Sequence, residues 1–214
     1  MRRVFLLAGA VVLLLVGCGG DDESSAQVRV YFLRDGKVWP VAREVEAANT
    51  AAAASALSDG PTEQEQTDLD VTSEAADESV SRAGLAQIVY TMSQFSPDQP
   101  VDVDGQRYTR ADFEEQTPSV LVESPLSFEE VTSPITAVGT ANTFEANFQY
   151  ELLDSDGSVI DENFVTATSG TGTRGTFEFT TDDVDDIATL VVFESSAEDG
   201  SRIREVEIPL NTAP

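Results

Sequence analysis

The stretch FEANFQYELL, residues 144–153, decides the fold of the second half of the chain. Its apolar residues Phe144, Ala146, Phe148, Tyr150 and Leu152 alternate with polar ones. Successive side chains of a β-strand point to opposite faces of the sheet, so this period of two predicts a strand with one buried and one solvated face. The stretch therefore indicates an antiparallel sheet.

Further extended runs surround this strand at regular spacing. They lie at residues 135–141, 158–168, 175–181, 189–195 and 202–210. The turn signals Asp156-Gly157 and Asp199-Gly200 punctuate them. Many short strands at such spacing are typical of a sandwich of two sheets. The sequence thus predicts an all-β, immunoglobulin-like sandwich for residues 118–214.

The first half has a different pattern, which predicts a small α+β domain at residues 28–117. Residues 28–33, VRVYFL, predict a strand that ends at the hairpin signal Asp35-Gly36. The alanine-rich stretch 44–59 predicts a helix that stops before Gly60-Pro61. Short strands are also predicted at residues 69–71 and 101–106.

A second helix is predicted at residues 81–95, SRAGLAQIVYTMSQF. Its large apolar residues recur at the helical period and are expected to face the core. They are Leu85, Ile88, Val89, Met92 and Phe95. The predicted architecture of the first half is a small sheet covered by two helices.

The charge balance excludes several classes of partner. The chain has 39 acidic and 12 basic residues and a formal net charge of −27. Nucleic acids and anionic lipid headgroups are recognised by clusters of Lys and Arg that neutralise negative charge, so neither is an expected ligand.

The residues available for chemistry are equally restricted. The chain has no histidine and one cysteine. It therefore lacks the commonest general base and imidazole metal ligand, and it forms no Ser-His or Cys-His pair and no intramolecular disulfide. We expect no enzymatic activity, no cofactor and no metal site.

The amino terminus, MRRVFLLAGAVVLLLVGC, has the plan of a secretory signal: a basic start, an apolar run and a small residue. The apolar run at residues 4–16 is shorter than the roughly 20 residues that a membrane-spanning helix needs. Residues 15–18, LVGC, resemble the bacterial lipobox. That resemblance implies cleavage after Gly17 and diacylglyceryl modification of Cys18.

The resemblance divides the terminus into a signal peptide, residues 1–17, and a flexible polar tether, residues 18–27. It places the protein outside the cytoplasm, anchored to the cell membrane by lipid. An ordinary signal peptide with an incidental cysteine is the alternative. Arg2 and Arg3 also resemble part of a twin-arginine signal, so the export route stays open.

The order of the segments resembles a known pair of domains. VRVYFL, Trp39-Pro40-Val41, Gly60-Pro61 and LAQIVYTMSQF resemble the GerM-type sporulation and germination domain. The segments at residues 124–157 and 191–210 are similar to the immunoglobulin-like domain of bacterial spore germination proteins. The resemblance implies an envelope protein without catalysis. Only about seven residues separate Pro61 from LDVTSEA, so the first domain is expected to be an abbreviated GerM-like domain.

Several local patterns leave other functions open. Asp154-Ser155-Asp156-Gly157 looks like the start of a calcium loop, but the later ligand positions hold Ser158 and Val165, which favours a hairpin turn. The acidic residues 182–186 are expected to be a solvated loop rather than a cation site. Trp39 and Tyr90 could stack on a sugar, although packing in the core is the default for both.

The expected function is that of a non-catalytic, lipid-anchored envelope protein. Its partners would be the membrane, through the lipid, and peptidoglycan or envelope proteins. The alternatives are a cation-dependent adhesion or sensing module and a glycan hydrolase that uses paired carboxylates.

Overall fold

The computed structural model describes residues 25–76 and 79–212. The N-terminal region, residues 26–116, combines two β-hairpins with helices. Its elements are β1 (Ala26–Arg34), β2 (Lys37–Val45), α1 (Thr50–Asp59), α2 (Glu63–Asp68), α3 (Arg82–Ser93), β3 (Val101–Val103), β4 (Gln106–Tyr108) and a 3₁₀ segment (Arg110–Gln116). Among the described residues, no helix has the length and apolar character needed to cross a membrane.

The hairpin of β1 and β2 is the centre of the N-terminal region. Asp35 and Gly36 form its two-residue turn with φ angles of 51° and 72°, the left-handed conformation that such turns require. The two strands pair antiparallel along their whole length, from Ala26 opposite Val45 to Arg34 opposite Lys37. Helices α1 and α3 pack on β1, so the hairpin and its helical cover follow the predicted pattern.

The apolar residues predicted for helix α3 pack against the core, and the helix also buries a second face. Its most buried large side chains are Val89 and Tyr90, whereas Leu85, Ile88 and Met92 are only partly buried. The helix lies between two apolar clusters: Val89 and Tyr90 belong to the smaller cluster, and Ile88 and Met92 pack at the edge of the larger one. Helix α3 therefore contacts the core through two faces, and the apolar period of the sequence marks only one of them.

The segment between α1 and α3 also departs from the prediction. A short helix, α2, occupies part of it and is closed by a capping box of Thr62 and Glu65. Glu65 also forms a two-point ion pair with Arg43, with N–O distances of 2.5 and 2.6 Å. The strand expected at residues 69–71 is reduced to a single bridge between Leu33 and Thr72.

The remaining chain forms a β-sandwich, residues 120–212. Its strands are β5 (Val120–Ser124), β6 (Glu130–Val131), β7 (Thr136–Ala141), β8 (Asn147–Leu153), β9 (Val159–Thr166), β10 (Gly175–Thr180), β11 (Thr189–Ser195), β12 (Arg202–Pro209) and β13 (Asn211–Thr212). One sheet has the order β10-β7-β5 and the other β12-β11-β8-β9. The short strands β6 and β13 pair in parallel.

Aromatic side chains join the two sheets of the β-sandwich. Phe148 of β8 meets Phe177 of β10 edge-to-face at a ring distance of 4.8 Å, and Tyr150 stacks on Phe179 at 4.5 Å. Only glycine fits at position 139 of β7, because a Cβ atom at this position would lie 2.0 Å from the carbonyl oxygen of Leu121 in β5. The sheets thus pack face to face, as the sequence predicts.

The first residues of the fold-deciding stretch are not part of the strand. Residues 144–146 form a 3₁₀ turn in which Glu145 and Ala146 have positive φ angles, and β8 begins at Asn147. Phe144 is 62% exposed, whereas Phe148 is 2% exposed. Phe148, Tyr150 and Leu152 are buried as predicted, but Glu151 on the opposite face is buried too. The prediction that Phe144 is buried is wrong.

Candidate ligand-binding site at the domain junction

A partly buried ion pair fixes the N-terminal region to the β-sandwich. The carboxylate of Glu123, on β5, receives Nη1 of Arg110 at 2.8 Å and lies 3.4 Å from Nη1 of Arg29. The hydroxyl of Tyr31 donates to the same carboxylate oxygen. Three groups of the N-terminal region therefore hold one carboxylate of the sandwich.

Hydrogen bonds and two aromatic rings hold the guanidinium of Arg110 in place. Its Nε donates to Oγ of Ser93 at 2.7 Å, and its Nη2 donates to the carbonyl oxygen of Tyr90 at 3.3 Å. The guanidinium carbon lies 4.6 Å from the ring centre of Tyr90 and 5.4 Å from that of Tyr31. These contacts offset part of the cost of burying a charge.

The titration of the junction follows from these contacts. Burial alone would raise the pKa of Glu123, but the charges of Arg110 and Arg29 and the hydrogen bonds from Tyr31 and Arg110 outweigh it, so its pKa is lowered. Burial is the main cause that raises the pKa of Tyr31. At neutral pH the network thus consists of an ionised carboxylate and a protonated phenol.

A second set of contacts holds the segment that connects the two parts. Glu114, in the 3₁₀ segment, binds Arg174 of the β-sandwich through two N–O contacts of 2.9 and 3.0 Å. Nδ2 of Asn142 donates to the carboxylate of Glu114. The backbone N–H of Asn142 donates to the carbonyl oxygen of Ser119 at 2.7 Å. The connection is therefore tied to the β-sandwich.

Between these contacts lies an open cleft of about 490 Å³, which we call the junction cleft. Its walls come from the β1–β2 turn, the connecting segment, the loop before β8 and strand β12. The lining residues include Arg34, Lys37, Trp39, Glu114, Ser119, Arg204 and Glu205. A cleft of this volume lies within the range of small-molecule sites, about 300–1,000 Å³.

Two cations of the junction cleft face each other across the β1–β2 turn. Arg34 and Lys37 are directly opposite in the antiparallel register. The guanidinium of Arg34 lies 4.7 Å from the ring centre of Trp39, and Nζ of Lys37 donates to the carbonyl oxygen of Glu115. Neither forms an ion pair with a carboxylate of the described residues.

Trp39 connects this cleft to the β-sandwich. Its Nε1 donates to Oγ of Ser127 at 3.3 Å, and its side chain is 6% exposed. Tyr90 is also buried, in the smaller apolar cluster. The structure therefore places both aromatic residues in the core.

Residues 119–201 match the family model described as the immunoglobulin-like domain of bacterial spore germination. The match covers the strands from β5 to β11 and reaches the turn before β12. No curated protein and no solved structure gives a significant match to the chain. The immunoglobulin-like domain is a non-catalytic type of domain with a role related to germination, which agrees with the resemblance seen in the second half of the sequence.

The acidic patterns of the immunoglobulin-like domain serve local structure. Oδ1 of Asp154 accepts hydrogen bonds from the backbone N–H groups of Asp156 and Ser158, and Gly157 has a φ of 79°. Asp154-Ser155-Asp156-Gly157 is therefore a turn, as the sequence favoured. Within residues 25–76 and 79–212, no group of three or more acidic or cysteine side chains is placed to hold a metal ion.

The two site residues predicted from the sequence, Gly17 and Cys18, lie outside the described residues. Cleavage, lipidation and the GerM-type resemblance of the first half stay predictions. The sequence reasoning did not identify the junction cleft. The sequence does allow the prediction that Arg34 and Lys37 are neighbours, because residues on either side of a two-residue turn are opposite each other. No sequence pattern indicated that Arg110 and Glu123 form a pair.

Proposed function

We propose that this protein is a non-catalytic, lipid-anchored protein of the cell envelope that presents a binding surface to cell-wall polymer or protein partners. Lipid on Cys18 would hold it to the outer side of the cell membrane. The tether would be residues 18–25 rather than 18–27, because Ala26 and Gln27 belong to β1. In this role the first half is an abbreviated GerM-like domain, and the second is the immunoglobulin-like domain.

The observation that carries the proposal is the match of residues 119–201 to an immunoglobulin-like domain of spore germination. Such a domain supplies a surface for contacts rather than a reaction. The chain composition supports the same role, since it has no histidine for general base catalysis.

The junction supports a binding role that involves both halves of the chain. Arg110 and Glu123 join the N-terminal region to the sandwich through a pair that is largely removed from solvent. Breaking such a pair costs about 3–5 kcal/mol, so the two parts would hold a fixed arrangement when a partner binds. A fixed arrangement reduces the entropy that binding must overcome.

The lipid anchor is tested by metabolic labelling with an alkyne fatty acid. We expect the wild-type protein to be labelled and to begin at a diacylglyceryl-modified Cys18 by mass spectrometry. The Cys18→Ala variant should lose the label, because the thiol is the atom that forms the thioether. Ser25→Ala, in the same polar segment, is the matched control and should keep it.

Labelling shows whether lipid is attached even if the uncleaved signal of Cys18→Ala retains the variant in membranes. An unlabelled wild-type protein, or one that keeps Met1 and a free thiol, would contradict the anchor. Equal labelling of the Cys18→Ala variant would contradict the assignment to Cys18.

A further inference from the structure

The junction cleft contains two cations that form no ion pair with a carboxylate of the described residues. Arg34 and Lys37 are directly opposite across the β1–β2 turn. Like charges at such positions repel each other. Six other arginines among the described residues are paired with carboxylates, namely Arg29, Arg43, Arg110, Arg174, Arg202 and Arg204. The two opposed cations of the cleft lack such a partner there.

The carboxylates that line the same cleft form no direct ion pair with Arg34 or Lys37, although the charge of Lys37 contributes to lowering the pKa of Glu114. Glu114 is held by Arg174 at 2.9 Å, and Glu205 lies 3.6 Å from Arg202. Asp35 is exposed at the tip of the turn and is not within ion-pair distance of Arg34 or Lys37. The positive charge on this wall is therefore available to a ligand.

The two cations are also held in place before any ligand binds. Arg34 lies over the ring of Trp39, and Trp39 is tied to the sandwich through Ser127. Lys37 is tied to the connecting segment through the carbonyl oxygen of Glu115. Ser119, which lines the same cleft, has a buried hydroxyl oxygen without a hydrogen-bond partner among the described residues. Positioned donors of this kind lose little entropy on binding.

We propose that the junction cleft binds a small ligand through an oxyanion group, a carboxylate or a phosphate, held between the guanidinium of Arg34 and the ammonium of Lys37. Both side chains are donors suited to such groups. The net charge of −27 repels polyanions, so the ligand carries one or two negative charges rather than a chain of them. This inference rests on the proposed binding role, but not on the lipid anchor.

The experiment uses the emission of Trp39, which is the single tryptophan of the chain and touches Arg34. The full chain, purified in detergent, is titrated with sodium acetate and with inorganic phosphate at constant ionic strength. We expect a saturable change of emission with at least one probe. Acetate alone would assign a carboxylate ligand, phosphate alone a phosphate ligand, and both a general oxyanion site.

Three variants of equal charge change decide whether the cleft is responsible. Lys37→Gln and Arg34→Gln should each weaken binding about 10-fold, the effect of losing one charge-assisted hydrogen bond. Arg107→Gln is the matched control, since Arg107 is exposed on β4 and also lacks an ion pair among the described residues. Its binding should equal that of the wild type.

A second readout avoids the direct effect of Arg34→Gln on Trp39. Line broadening of ¹³C-acetate and of the ³¹P signal of phosphate reports binding to each variant without using the tryptophan. Wild-type protein that broadens neither signal, or variants Arg34→Gln and Lys37→Gln that bind like Arg107→Gln, would overturn the proposal. Fatty-acid labelling is measured separately, so the anchor and the cleft can fail independently.

Discussion

Replacing Arg110 by methionine is expected to lower the free energy of unfolding by about 3 kcal/mol. The substitution removes the closest cation from Glu123, whose side chain is 11% exposed, and leaves a carboxylate that is largely removed from water. The loss falls at the lower end of the range for broken buried pairs because Arg29, 3.4 Å from the same carboxylate oxygen, remains. Urea denaturation of the full chain measures it.

Arg107→Met is the control for the loss of an arginine. Arg107 is exposed on β4, so its replacement should change the free energy of unfolding by less than about 0.5 kcal/mol. Combining Arg110→Met with Glu123→Gln should cost less than the sum of the two single changes, because each removes the same interaction. Additive effects would show that the two side chains are not coupled.

Replacing Phe148 by alanine is expected to cost about 3–5 kcal/mol. Phe148 is 2% exposed and lies between the two sheets, where its ring meets Phe177 edge-to-face. Truncation would leave a cavity and remove an aromatic contact. The loss is measured as a shift of the urea midpoint at constant slope.

Phe144→Ala is the matched control for that change. Phe144 belongs to the same stretch of sequence but is 62% exposed in the turn before β8. Its replacement should alter the free energy of unfolding by less than about 0.5 kcal/mol. A similar cost for both variants would contradict the observed start of the strand at Asn147.

The sequence predicted those parts of the fold that depend on local periodicity. The alternation from Phe148 to Leu152 gave the strand and its buried face, and Asp35-Gly36 gave the hairpin turn. The prediction was wrong where a local turn interrupts a period, as at Phe144. For helix α3 the apolar period predicted residues that do pack on the core, but the second buried flank, which includes Tyr90, follows from contact with a second apolar cluster.

The junction shows a different limit. The Glu123 site gathers side chains from β1, α3, the 3₁₀ segment and β5. Isolated arginines and glutamates are usually surface residues, and only the packing of those elements makes this pair buried. Arg34 and Lys37 could have been predicted to be neighbours, but the cleft that they line also needs walls from the connecting segment, the loop before β8 and strand β12.

We expect the N-terminal region and the β-sandwich to unfold as one cooperative unit around the junction cleft. Urea unfolding of the full chain tests this claim when the NMR signals of the backbone amides of β1, in the N-terminal region, are compared with those of β8, in the sandwich. We predict coincident transitions with a single midpoint. Two separate midpoints in the wild-type protein would contradict the claim.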